Sequence, residues 1–190
     1  MLVLIFCGFI INADPVEDLI KTSGDADKYK GSNVLVLFDS TRVDVQQTGL
    51  SHFHIHQLFK VLTQAGALEL RVIKVDYDPI SADAEIRLLR VFRRNGDVEI
   101  LDLKNVKDYA APARGIYWGA REKMIEVGRL EPGDVVELKY FKKGFTYALL
   151  MDDDDDRFIP PMRGHYYDIV PFWSNHPMLE KVYIAQLPAD

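Results

Sequence analysis

From Val34 to Leu187 the chain is built of short apolar runs separated by turn residues. Val34 to Phe38 is continuously apolar, and Val43 and Val45 then alternate with polar neighbours up to a turn at Thr48-Gly49. The next run has a period of two. Phe53, Ile55, Phe59 and Val61 share one phase and His52, His54, His56 and Lys60 the other, as side chains projecting alternately from a strand require. Gln64-Ala65-Gly66 reads as the end of that strand, Leu68 to Tyr77 as the next, and Asp78-Pro79 as the turn after it. Ala84 to Arg94 fits a helical face about as well as a strand. The Asn95-Gly96 that follows, with Val98 and Ile100 alternating beyond it, favours a strand and a hairpin. Asn-Gly suits a type I′ turn, whose two central residues both need positive φ.

Lys104 to Gly119 is irregular. Lys123 to Val127, Val135 to Phe141 and Phe145 to Met151 read as strands, with a tight turn at Glu131-Pro132-Gly133-Asp134 between the first two. A long surface excursion follows from Asp152 past Pro171, and a last strand runs from Glu180 to Leu187. About ten strands at short spacing, with no βαβ rhythm, predict a mainly β fold: an antiparallel β-sandwich or barrel-like sheet pair.

The ends are different in character. Leu2 to Ile11 is unbroken apolar sequence, too short for a bilayer-spanning helix, which needs roughly 20 apolar residues. It matches the core of a secretory signal peptide over residues 1–13, with Ala13 as the cleavage position, although no Lys or Arg precedes it. A buried N-terminal strand is the competing reading. A lipid anchor on Cys7 is a further one, opposed by the bulky Phe6 before it, where lipoproteins want a small residue. Cys7 is the only cysteine, so an exported mature form has neither thiol nor disulfide. Residues 14–33 are polar and read as a linker or short helix. Residues 34–190 form the sandwich domain, which we read as truncated at its C-terminal end.

The 190 residues, 48% of them hydrophobic, suffice for one domain with a sizeable core. The net charge of −6 and the scattered basic residues argue against a nucleic-acid partner. Arg87, Arg90, Arg93 and Arg94 are the densest basic cluster and read as a solvated face beside the hairpin.

Catalytic patterns are missing from the sequence. Cys7 lies in the leader, there is no Gly-x-Ser-x-Gly elbow and no Gly-rich phosphate loop, and Ser174-Asn175-His176 is adjacency rather than triad geometry. The chain is therefore not read as an enzyme, and no cofactor is expected. Three features stand above the background. His52, His54 and His56 project to one side of a strand, roughly 7 Å apart at Cα. Two such imidazoles suit zinc or copper, against the plainer reading of an exposed polar face, which we adopt. Asp152, Asp153, Asp154, Asp155 and Asp156 are an acidic run without EF-hand spacing, read as a solvated loop rather than a calcium site. Tyr166, Tyr167, Phe172 and Trp173 either line a sugar or peptide groove or cap the open end of the core; the cap is preferred.

An ordered series of phrases carries a resemblance. These are His56-Gln57-Leu58-Phe59-Lys60-Val61-Leu62-Thr63, Gly66, Val75-Asp76-Tyr77-Asp78-Pro79 and Val91-Phe92-Arg93-Arg94-Asn95-Gly96-Asp97, then Leu130-Glu131-Pro132-Gly133-Asp134-Val135-Val136-Glu137 and Asn175-His176-Pro177-Met178-Leu179-Glu180-Lys181. From Leu50 to Leu187 the chain resembles a bacterial domain of unknown function that precedes transglutaminase-like, papain-fold domains in exported proteins of Gram-negative bacteria. The resemblance implies a β-sandwich, a periplasmic or outer-envelope location, and a larger parent protein whose Cys-His-Asp chemistry lies in a downstream domain not contained in this chain. It implies no catalytic residues here. The expected role is a module that positions, regulates or targets that partner domain. The alternative is a stand-alone envelope protein that binds carbohydrate or peptide. A metal-dependent hydrolase on the histidine stripe is the third reading.

Overall fold

The computed structural model describes residues 15–112, 119–145 and 166–189. The fold is mainly β. Nine strands are seen among these residues: β1 (Val34–Val45), β2 (Ser51–Val61), β3 (Val72–Tyr77), β4 (Ala82–Phe92), β5 (Val98–Ile100), β6 (Lys107–Ala110), β7 (Arg121–Glu126), β8 (Val135–Gly144) and β9 (Lys181–Gln186). They form a six-stranded sheet in the order β5-β4-β8-β2-β1-β9 and a three-stranded sheet in the order β3-β7-β6. Helix α1 (Pro15–Thr22) precedes the strands and α2 (Gln64–Glu69) joins β2 to β3.

The large sheet buries both faces at one end and only one face at the other. Val61 of β2, Leu89 and Val91 of β4, and Val136 and Leu138 of β8 share a buried cluster with Ile73 and Val75 of β3 and Ile125 of β7. On the opposite face Leu35, Leu37, Leu58, Phe92 and Val135 form a second cluster, covered by Val16, Leu19 and Ile20 of α1. This explains why the apolar runs Val34–Leu37 and Val135–Val136 are continuous rather than alternating: residues of both phases are buried there. Beyond the reach of α1 the second face turns polar, and His52, His54 and His56 lie on it.

Residues 14–33, expected as a linker or short helix, include α1. Its C-terminal end is held by a lysine of the sheet: Lys60 Nζ donates to the carbonyls of Ile20 (3.2 Å) and Gly24 (2.7 Å) and to Ser23 Oγ (3.0 Å). These contacts satisfy carbonyls that a helix end leaves unpaired. The Glu131-Pro132-Gly133-Asp134 turn forms with Gly133 at φ 98° and Asp134 N–H donating to Glu131 O at 3.0 Å. Its buried Asp134 carboxylate accepts from the amides of Arg94 and Glu131 and from Arg93 Nη1 at 2.9–3.0 Å, which ties the β4–β5 hairpin to the start of β8.

Four expectations are corrected. Gln64-Ala65-Gly66 does not simply end a strand, because Thr63 Oγ1 accepts from Gly66 N–H at 3.2 Å and caps α2, which takes in Leu68 as well. Lys107–Ala110, inside a stretch read as irregular, is a strand paired with β7. The hairpin at Asn95-Gly96 has no type I′ turn. Arg93 N–H bonds Asp97 O at 2.8 Å, Gly96 N–H bonds Arg93 O at 2.9 Å, and Gly96 alone has positive φ; this is a three-residue loop ending in a left-handed glycine. Finally, β9 runs parallel to β1, with Asp39 opposite Lys181, so the sheet is not wholly antiparallel. The leader at 1–13 and all but Phe145 of the strand expected over Phe145–Met151 lie outside the described residues.

Candidate functional site

The open half of the large sheet is the candidate site. Pairing places His56 opposite Lys139, His54 opposite Phe141 and His52 opposite Lys143 on β8, while Arg42 and Asp44 of β1 lie opposite His54 and His52. Phe141 is the centre of this surface. The Arg87 guanidinium lies 4.0 Å from its ring centroid, a distance at which a cation and an aromatic ring attract, and the rings of His54 and His52 pack against it at 5.1 and 5.5 Å. Arg42 bonds Asp44 at 3.2 Å and Gln186 Oε1 at 2.7 Å, and His54 Nε2 stands 3.7 Å from Asp44 Oδ2.

Below this surface sits a buried carboxylate. Glu137 is fully buried, receives Arg90 Nε and lies 2.7 Å from His56 Nε2 through Oε1, with Lys139 Nζ 3.6 Å away. Burial alone pushes its pKa up, but the hydrogen bonds from His56 and Arg90 outweigh that and hold it down at about 2. The carboxylate is charged, and each of its oxygens accepts from one side chain, so it anchors His56 and Arg90 beneath the open face. Phe38 meets the His56 ring edge-on at 4.6 Å and fixes its plane.

A second carboxylate with several donors, this one exposed, lies on the small sheet. Asp108 accepts from Tyr77 Oη (2.7 Å), Arg121 Nε (2.8 Å) and Lys123 Nζ (2.7 Å). Desolvation opposes ionisation here too, and the bonds from Lys123, Tyr77 and Arg121 overcome it, leaving a pKa of about 2.

The three sequence-identified histidines thus share a face but do not converge on one point. His56 Nε2 is engaged by Glu137 and His54 leans toward Asp44, and among the described residues no three His, Cys, Asp or Glu are grouped to hold a metal. Asp152, Asp153, Asp154, Asp155 and Asp156 lie outside the described residues. The four aromatics divide: Tyr166 packs on Phe53 at 6.5 Å and hydrogen-bonds Tyr183, whereas Tyr167, Phe172 and Trp173 are exposed. Sequence reasoning passed over Glu137 and Asp108. The first had a signal, an acid inside the apolar run Val135-Val136-Glu137-Leu138, since a charge in a buried strand needs partners. The second had none, because its donors come from two strands, β3 and β7, each separate in the chain from Asp108.

A mainly β domain of two sheets, with one polar face left open, is the class that these observations define. The chain belongs to the DUF3857 family, described as a domain of unknown function with a solved structure, which it matches over residues 47–190. A comparison with curated proteins finds no match. Among solved structures it is similar to a candidate protease from Parabacteroides distasonis ATCC 8503, at 15% identity and a TM-score of 0.49, over 60% of this chain and 24% of that one. It is also similar to an M1 zinc metallopeptidase from Deinococcus radiodurans, at 13% identity and a TM-score of 0.32, over 63% of this chain and 22% of that one. A third similarity is to the CBM3a-L domain of the Clostridium thermocellum scaffoldin cipA, at 11% identity and a TM-score of 0.37, over 70% of this chain and 82% of that one. The chain spans about a quarter of the length of the Parabacteroides protein.

Proposed function

We propose that this is a non-catalytic module of an exported protein, a sandwich of its two sheets that positions, regulates or targets a transglutaminase-like partner domain in the bacterial envelope. The observation that carries the non-catalytic part is the low pKa of its two most perturbed carboxylates. A general base needs a pKa near the working pH; the hydrogen bonds to Glu137 and Asp108 hold theirs down at about 2. The open face with Phe141, Arg87 and the histidines is then a recognition surface. The apolar stretch Leu2–Ile11 supports export, and the ordered series of phrases from Leu50 to Leu187 supports the partner domain.

The test is to read the genomic frame beyond the Asp190 codon and to express whatever continuous protein it encodes. A papain-like domain with Cys, His and Asp, whose activity changes when residues 34–190 are removed, is the expected result. A stop codon at that point, with no transglutaminase-like protein retained on the immobilised module, overturns it.

A further inference from the structure

Register sorts the open face of the large sheet into three rungs. On the first, His56 lies between Ser40 of β1 and Lys139 of β8; on the second, His54 lies between Arg42 and Phe141; on the third, His52 lies between Asp44 and Lys143. Each histidine thus has one lysine or arginine on a neighbouring strand, about 4.8 Å away at the backbone, and successive rungs stand about 7 Å apart. The side chains of Arg42, His54 and Lys139 are between 44% and 57% exposed. Lys143 is exposed too, and it makes no ion pair among the described residues.

The charge of this face is decided by its imidazoles. Arg42, Arg87, Arg90, Lys139 and Lys143 share the outward positions of β1, β4 and β8 with Asp44, Asp83, Glu85 and the buried Glu137. Three of the pairs are mutual: Arg42 with Asp44, Arg87 with Glu85 and Arg90 with Glu137. On β9 the outward residues are Val182, Ile184 and Gln186, which add no charge. At the α1 end Glu17 pairs with Lys21 at 3.6 Å, and Asp18 is exposed. Fixed cations and carboxylates therefore nearly cancel while the imidazoles are neutral. Imidazole takes up a proton just below neutral pH, so histidines on three consecutive rungs turn the face cationic over a narrow range.

We propose that this face is an acid-gated binding surface for an extended acidic peptide segment of another protein, with one carboxylate seated at each rung. Alternate residues of an extended chain project to one side at about the same 7 Å spacing, so Glu or Asp at every second position matches the rungs. That match in period is what selects a peptide. A carboxylate between a protonated histidine and the adjacent lysine or arginine accepts charge-assisted hydrogen bonds from both. The carboxylates of the peptide titrate near pH 4 and free imidazole near pH 6.5, so both partners are charged at about pH 5–6. This occupant presupposes the recognition surface named above and specifies what it takes.

The probe is a dye-labelled peptide alternating glutamate and serine, followed by fluorescence anisotropy. Its controls are a glutamine–serine twin and a peptide with the same number of glutamates at every third position. At about pH 5.5 the alternating peptide is expected to bind, with both controls about tenfold weaker, and its own binding is expected to fall about tenfold at about pH 7.5. Lys143→Glu is expected to weaken binding about tenfold with an unchanged melting temperature. His52→Gln combined with His54→Gln keeps the His56–Glu137 contact and is expected to reduce the pH effect to less than about threefold. Equal binding by either control, or a pH effect that survives the double substitution, overturns the proposal. So does tighter binding by a soluble polyuronate, which assigns the face to acidic polysaccharide. Binding that appears only when Asp152–Asp156 are replaced by serine overturns it as well and assigns the face to this chain's own acidic run. No binding by any peptide, in a module that still retains a transglutaminase-like protein, strikes the acidic occupant and leaves the recognition surface standing.

Discussion

His56 and Glu137 face each other across β2 and β8 with Nε2 and Oε1 2.7 Å apart, and that contact joins the exposed surface of the sheet to its buried interior. The imidazole is partly exposed, while the carboxylate is sealed. Whatever touches the open face is therefore held by side chains whose orientation is set from below.

Removing that charge carries a large cost. Glu137→Gln puts a neutral group opposite Arg90 at a fully buried position, and breaking a buried pair from one side costs about 3–5 kcal/mol. Urea denaturation of the variant should show a midpoint loss of that size with an unchanged slope. A loss below about 1 kcal/mol, the range of surface ion pairs, rules out the anchoring role.

The same group gives a pH signature. Its folded pKa of about 2 lies below the ordinary 4.5, so its contribution is full above about pH 4.5 and is lost as the pH falls toward 2. The contribution is on the order of 3 kcal/mol. Between those pH values wild-type stability should fall more steeply than that of Glu137→Gln; parallel curves contradict the assignment.

Gly66 is required by space rather than by backbone conformation. A Cβ there would stand 2.1 Å from the carbonyl oxygen of Asn33, and that oxygen already accepts from the amides of Leu62 and Thr63. Gly66→Ala should cost about 1–3 kcal/mol, although alanine is the better helix former. A melting temperature equal to or above wild type means that residues 32–34 move aside freely.

The histidine stripe is expected to leave stability indifferent to zinc. A folded-state site of micromolar affinity would add about 2.7 kcal/mol at ~100 μM zinc. We expect no rise in melting temperature. A rise in the wild type that is lost in His54→Ala, and that fades as the pH falls through about 6, restores the metal reading.

Secreted material should lack the leader. Expressed from its native start, protein recovered outside the cytoplasm should begin near residue 14, as N-terminal sequencing will show. An intact Met1 on periplasmic material contradicts the signal-peptide reading.

The physical reasons for what the sequence made legible are specific. β2 declared itself because its phases differ in polarity, and β4 because a hairpin loop followed. β6 left no trace, since all four of its residues are exposed and nothing in Lys107-Asp108-Tyr109-Ala110 alternates toward a core. In α2 a glycine and a capping threonine compete as signals, and the glycine was given the wrong weight. Alternation also assigns faces but not partners, so the parallel pairing of β9 was not readable. The histidines were visible as a stripe, yet their chemistry depends on Glu137, which belongs to another strand and whose role appears only once register is known.

The pairing of β9 with β1 has a consequence for how the molecule is made. Lys181 Nζ bonds Asp39 Oδ2 at 2.8 Å across 142 positions of chain, and β1 emerges from the ribosome long before β9 exists. Until then the β1 edge of the large sheet is bare, with the backbone groups that will receive Lys181–Gln186 unpaired. Contacts this distant in sequence slow folding, and a nascent sheet with an open edge is prone to associate with its neighbours. The nascent domain therefore waits with its β1 edge unprotected, and a holding chaperone or prompt export would shield it until β9 arrives.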